Sequence, residues 1–99
     1  MVRGITLKDV TWLGDEPLRA AAEARTPIAV KVRSTRPPTP AHLILAESAT
    51  GGRSIGVELV EPEEGVAPGQ ACVFYSPESG HDRVLGGGWI AAAGEPRSS

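Results

Sequence analysis

Short runs of alternating apolar and polar residues, cut by glycine- and proline-rich turns roughly every eight to fifteen residues, confine this chain to an architecture of short strands. The clearest run is residues 28–33, where Ile28, Val30 and Val32 alternate with Ala29, Lys31 and Arg33 in the period of two of a half-buried strand. Arg36-Pro37-Pro38-Thr39-Pro40 ends it, because proline removes ladder donors and forces each preceding residue into extended geometry. Further strands are expected over 42–46, 55–60 and 71–75. Another spans 83–90, where Gly86-Gly87-Gly88 marks a bulge or a close approach of two backbones. Residues 5–13 make a first strand whose alternation, regular at Ile5 and Leu7, is less so at Val10 and Trp12. Residues 49–53 and 76–81 read as turns, and 62–69 as an acidic loop rich in proline and glycine.

Six such strands predict an all-β fold, a small six-stranded barrel that is closed or nearly closed. Closure removes the sheet edges that would otherwise recruit other chains. Residues 16–25 stand apart: their alanine-rich composition, with Asp15 as a cap and Pro17 in the first turn, predicts one or two helical turns near 16–24. The 99 residues hold one domain with one modest core, placed at 1–92, and the small and polar residues 93–99 are expected to form a disordered tail.

A formal net charge of −2 sets the chain apart from strongly basic nucleic-acid-binding proteins, yet the charge is unevenly spread. Arg19, Arg25, Lys31, Arg33 and Arg36 fall close together with only Glu23 among them, while residues 37–82 carry an excess of acids over the single base Arg53. A barrel can put such segments on different faces and so create a locally basic edge. Ordinary solvated charge is the plainer account. Met1 is followed by no apolar leader, and no segment reaches the length of a membrane span, so the expected location is cytoplasmic.

Chemistry-bearing residues are sparse. Cys72 is the only thiol and lies in an apolar run, where an inert core cysteine is the expected occupant. His42 and His81 are the only histidines and have no spacing that makes a metal site. Gly86-Gly87-Gly88 lacks the lysine, serine or threonine and the following helix that a phosphate loop needs, so backbone packing is its expected role. Glu61, Glu63 and Glu64 fall in a loop as solvated carboxylates. No catalytic residue, metal or cofactor is assigned, and function through binding is expected.

The segment Gly65-Val66-Ala67-Pro68-Gly69-Gln70-Ala71-Cys72-Val73-Phe74-Tyr75, followed by Arg83-Val84-Leu85-Gly86-Gly87-Gly88-Trp89-Ile90, resembles the end of the tRNA-specific 2-thiouridylases. Their last domain carries an A-P-G-Q-x-x-V-F-Y segment and then L-G-G-G-x-I. Leu7-Lys8-Asp9-Val10-Thr11-Trp12-Leu13 is similar to the strand that enters that domain, and Val30-Lys31-Val32-Arg33-Ser34-Thr35-Arg36 to its basic strand end. Glu61-Pro62 resembles its acidic-proline step, so nearly all of the chain is covered and Met1 is expected to open a fragment.

The resemblance implies a barrel similar to the second domain of elongation factor Tu, which helps to hold tRNA while the wobble uridine is 2-thiolated with ATP. The nucleotide-binding S-G-G-x-D-S loop and both sulfur-handling cysteines of the family belong to earlier domains, and Cys72 matches neither cysteine. Carried over position by position, the tRNA contacts are Arg33, Ser34 and Gln70, with Arg36 as a further phosphate partner. Arg33 can fork onto phosphate or a base edge. Gln70 offers a donor and an acceptor from a turn stiffened by Pro68-Gly69. Ser34 departs from the tyrosine of many relatives and cannot stack on a base. The implied partners are tRNA and the parent enzyme's other domains. The alternative is a protein-interaction barrel whose acidic loop docks a sulfur-carrier protein or those domains.

Overall fold

A computed structural model describes residues 2–32, 36–47, 53–78 and 83–94. Its elements in chain order are β1 Val2–Trp12, α1 Leu18–Glu23, β2 Pro27–Lys31, β3 Thr39–Glu47, β4 Arg53–Glu63, β5 Ala71–Tyr75 and β6 Val84–Gly94. The strands close in the order β1-β4-β3-β2-β5-β6, with antiparallel pairing throughout. The expected six-stranded all-β barrel is the fold, with one short helix added. The turn expected at 49–53 lies outside the described residues except for Arg53, and that at 76–81 lies partly outside them.

Period-two alternation fills the barrel. Ile5, Ile28, Val30, Leu43, Val57, Leu59, Phe74 and Ile90 are all at most 1% exposed and form one apolar cluster with Leu7, Leu85 and Cys72. Each buried aliphatic or aromatic side chain of this kind contributes about 1.5–3 kcal/mol relative to exposure. Trp12 caps the cluster edge-on to Phe74, with ring centroids 6.3 Å apart, and its indole Nε1 donates to the Glu16 carbonyl at 2.7 Å.

The irregular alternation in β1 has a cause. Lys8 pairs with Trp89 but Thr11 with Gly87, so β1 carries one residue more than β6 across this interval. Asp9 takes up the bulge with φ 52°, a left-handed conformation that aspartate tolerates better than most residues. The slip turns Val10 and Trp12 towards the core where strict alternation from Leu7 would turn Thr11.

Helix α1 is shorter than the alanine-rich segment and starts at Pro17 without a side-chain cap, so Asp15 does not cap it. Asp15 instead meets Arg83 at 3.5 Å. The helix ends in a Schellman motif: Thr26 N–H donates to the Ala21 carbonyl and Arg25 N–H to that of Ala22, both at 3.0 Å. Ala21 and Ala22 are buried, and the helix packs against β3 and β4.

Several strands outrun their expected limits. β3 begins at Thr39 and includes Pro40, opposite Ala29. Leu43 N–H donates towards β2, to Thr26, so the two-residue repeat turns the nitrogen of Pro40 to the β4 side, beyond the last pair there, Ala41–Leu59. No ladder donor is lost. Pro62 lies within β4 in a register break between the pairs Val2–Glu63 and Gly4–Glu58, where a missing donor is equally harmless. β6 continues through Ala93 and Gly94, which pair with Ile5 and Gly4, so these two belong to the sheet and not to a disordered tail.

Candidate functional site

Antiparallel closure sorts the loops between two rims. One rim gathers the ends of β2 at Lys31 and β4 at Glu63 with the starts of β3 at Thr39 and β5 at Ala71. Lys31 pairs with Val73, which brings the exit of β2 beside the entrance of β5, where Gln70 stands. Arg33 and Ser34 fall between β2 and β3 and lie outside the described residues. Arg36 and Gln70 are both on this rim.

The backbone around Gln70 is held at several points. Gly69 N–H donates to the Ile90 carbonyl and Ile90 N–H to that of Gln70, both at 2.8 Å, which pins the turn to β6. Gly69 has φ 91°, a conformation that favours glycine. The Gln70 carboxamide oxygen accepts the Ala67 N–H at 3.0 Å, so the side chain closes its own turn. What Gln70 can chiefly offer a ligand is therefore the pair of N–H donors on Nε2, a narrower role than the donor and acceptor expected of it.

Arg36 faces Glu63 at 3.1 Å, beside a recess of about 260 Å³ lined by Val30, Val32, Pro38, Thr39 and Glu61. Arg25 meets Glu58 at 2.5 Å on the barrel wall. These two surface pairs bring the basic and acidic segments together at these points, in keeping with the plainer account of solvated charge. β3 separates β2 from β4, and the loops flanking β2 bring Arg25 and Arg36 onto carboxylates of β4. A larger recess of about 590 Å³ opens at the opposite rim among Trp12, Asp15, Glu16, Glu78 and Arg83, where acids outnumber the base. It suits a phosphate poorly.

Cys72 is 1% exposed and desolvation pushes its thiol from 9.0 up to about 12, so it carries no thiolate at neutral pH. Gly87 meets the expectation of close backbones: a Cβ there would come within 2.6 Å of the Cys72 carbonyl oxygen. Because the triplet lies inside β6, which runs on as strand to Gly94 where a phosphate loop needs a helix, its residues do not fit a nucleotide phosphate. His42 is half-buried in β3, opposite Glu58, while His81 lies outside the described residues. No group of three or more metal-ligating side chains occurs among the described residues. Among the described residues, no helix is long and apolar enough to cross a membrane.

Trp89 carries no motif of its own beyond its place after the glycine triplet. Trp89 is 48% exposed on the outer wall, directly opposite Ala71 and so adjacent to Gln70. Counting back one position from the buried Ile90 assigns it outward, which is the signal that locates it.

A closed antiparallel barrel with a pinned polar turn on its rim and a buried thiol in its core defines a small β-barrel domain. The chain belongs to the aminomethyltransferase β-barrel domain family, which it matches over residues 2–90. It is similar to the tRNA-specific 2-thiouridylase MnmA of Azorhizobium caulinodans, 59% identical over 93% of this chain and 23% of the relative. The MnmA proteins of Maricaulis maris and Dinoroseobacter shibae are 58% and 56% identical, each over 89% of this chain and 19% and 21% of theirs. The chain thus spans about a fifth of the length of these curated relatives, and the match is to their C-terminal part.

Proposed function

We propose that this barrel is the tRNA-holding C-terminal domain of a tRNA-specific 2-thiouridylase, working in the cytoplasm beside catalytic domains that carry the ATP site and the sulfur-transferring cysteines. The observation that carries the reading is the Gln70 turn: a donor-bearing side chain on a backbone fixed to β6, at the rim where β2 ends, in a chain whose relatives are named for acting on tRNA. A turn already ordered loses little entropy on contact. Arg33, Ser34, Gln70 and Arg36 are the proposed contacts. The buried thiol and the misfit of the glycine triplet to a phosphate support the part of the reading that assigns sulfur transfer and ATP to other domains.

The rival reading, a sulfur-carrier protein or a neighbouring domain docked on the acidic loop, is less favoured because Glu63 already faces Arg36 and Glu64 is also engaged within the chain. Titration of the chain with unmodified tRNA tests the proposal. The expected Kd is on the order of 10⁻⁴ M with a shallow salt dependence, since few phosphates are neutralised. Arg33→Ala is expected to weaken binding, and charge reversal at Glu64 is not. Tight binding indifferent to salt, or no binding at millimolar RNA, would refute it.

A further inference from the structure

Across the outer wall, residues directly opposite one another on neighbouring strands share a face. Lys8, Trp89 and Ala71 form one such row over β1, β6 and β5. Thr11, Gly87, Val73 and Lys31 form the next, over β1, β6, β5 and β2. Gly87 brings no side chain to its row, so the wall has a slot of about 320 Å³ directly beside the indole of Trp89. The slot has a flat floor of β6 backbone, sides made by Val73 and Thr11, and a lysine row-end on each flank. Asp9 lines the slot too, at the β1 bulge.

We infer that this slot receives one unpaired base of a bound RNA, stacked on Trp89, with Lys8 and Lys31 placed for the phosphates on either side. The inference rests on the tRNA-holding reading and adds to it a second contact region. Three features favour a base over a protein surface. The large exposed apolar groups lining the slot are few, Trp89 and Val84, whereas a stable protein interface needs roughly 800 Å² from each partner. The cations stand at the ends of the apolar rows, as a base between two phosphates requires. And Trp89 adjoins the Gln70 turn through the Ile90 N–H bond to the Gln70 carbonyl, so one RNA strand can meet both. Stacking on an aromatic face is tolerant of base identity, so the slot would add affinity without selecting a sequence.

The test uses the 99-residue chain, unmodified tRNA, and a blunt RNA duplex with no unpaired bases, with nuclear magnetic resonance titration following backbone amides shared by all variants and, in the wild type, the Trp89 indole N–H as well. Trp89→Ala, on an exposed side chain, should keep the native spectrum. It is expected to weaken tRNA binding about tenfold, with Trp89→Phe within about threefold of wild type and the duplex bound alike by all three. Equal tRNA affinity for wild type and Trp89→Ala, or an equal loss on the duplex, would overturn the inference and leave the Gln70 reading standing. Failure of the wild-type chain to bind tRNA at all would remove both.

Discussion

The guanidinium of Arg36 lies 3.1 Å from the carboxylate of Glu63, an ion pair that ties the β2–β3 loop to the end of β4. With the arginine side chain 56% exposed, such a pair contributes about 0–1 kcal/mol, so the barrel does not depend on it. It does occupy a cation that an RNA phosphate would otherwise attract. Glu63→Gln is therefore expected to leave the unfolding free energy within about 1 kcal/mol of wild type and to tighten tRNA binding about two- to fivefold. The salt dependence should steepen as Arg36 begins to displace counterions. Denaturant unfolding and titrations at two salt concentrations measure both. An unchanged affinity and slope would exclude Arg36 from the contact.

Two substitutions separate the roles of Gln70. Gln70→Ala removes the acceptor for the Ala67 N–H as well as the Nε2 donors, and is expected to lower stability by about 0.5–1.5 kcal/mol while weakening tRNA binding. Gln70→Glu keeps an acceptor for Ala67 but has no donors and adds a negative charge. It should fold as stably as wild type yet bind tRNA at least as poorly as the alanine variant. If Gln70→Glu binds normally, the side chain serves only to shape its turn.

The barrel was legible because its determinants are local. Ile28-Ala29-Val30-Lys31-Val32 states its inner face in five residues, and the glycine triplet states where two backbones must touch. What escaped was set by partners distant in sequence. Asp15 looked like a helix cap, but Arg83 lies within reach of it across the rim. Pro40 and Pro62 looked like strand breakers, and nothing nearby reveals that one faces past the end of a ladder and the other sits in a register break. The proposed site shows the same division. The motif located Gln70, but not that its oxygen is already engaged, nor that Arg36 is paired. Trp89 could be assigned outward from Ile90, whereas the slot beside it depends on the register of four strands.

Arg25 tests the balance between backbone strain and a surface ion pair. Its φ of 52° places a non-glycine residue in the left-handed region at the helix end, at a cost of about 1–2 kcal/mol. Its contact with Glu58 returns no more than about 1 kcal/mol at that exposure. Arg25→Gly is accordingly expected to stabilise the fold by roughly 0.5 kcal/mol, offset in part by the greater freedom of glycine in the unfolded chain. Arg25→Ala, which loses the ion pair and keeps the strain, should be destabilised. Thermal unfolding of the two variants decides the matter, and a glycine variant less stable than the alanine one would mean that the strain is absent.

Cys72 gives the chain a predictable weakness to alkali. Burial raises the thiol from 9.0 to about 12, so the folded state keeps its proton where the unfolded state has lost it. Above pH 9 the unfolded chain therefore binds fewer protons than the native one, and stability falls as pH rises, by about 1.4 kcal/mol per unit until pH nears 12. Below pH 9 the group has no effect on the pH dependence. Cys72→Ala removes this term at the cost of a small cavity, about 1 kcal/mol. Wild type should then be the more stable at pH 8 and the less stable at pH 11, with the two curves crossing near pH 10 by about that arithmetic. Other groups that ionise in this range affect both proteins alike, so the difference between them isolates the thiol. Denaturant unfolding at each pH measures it, and parallel curves from pH 8 to 11 would mean that the thiol ionises as readily in the fold as outside it.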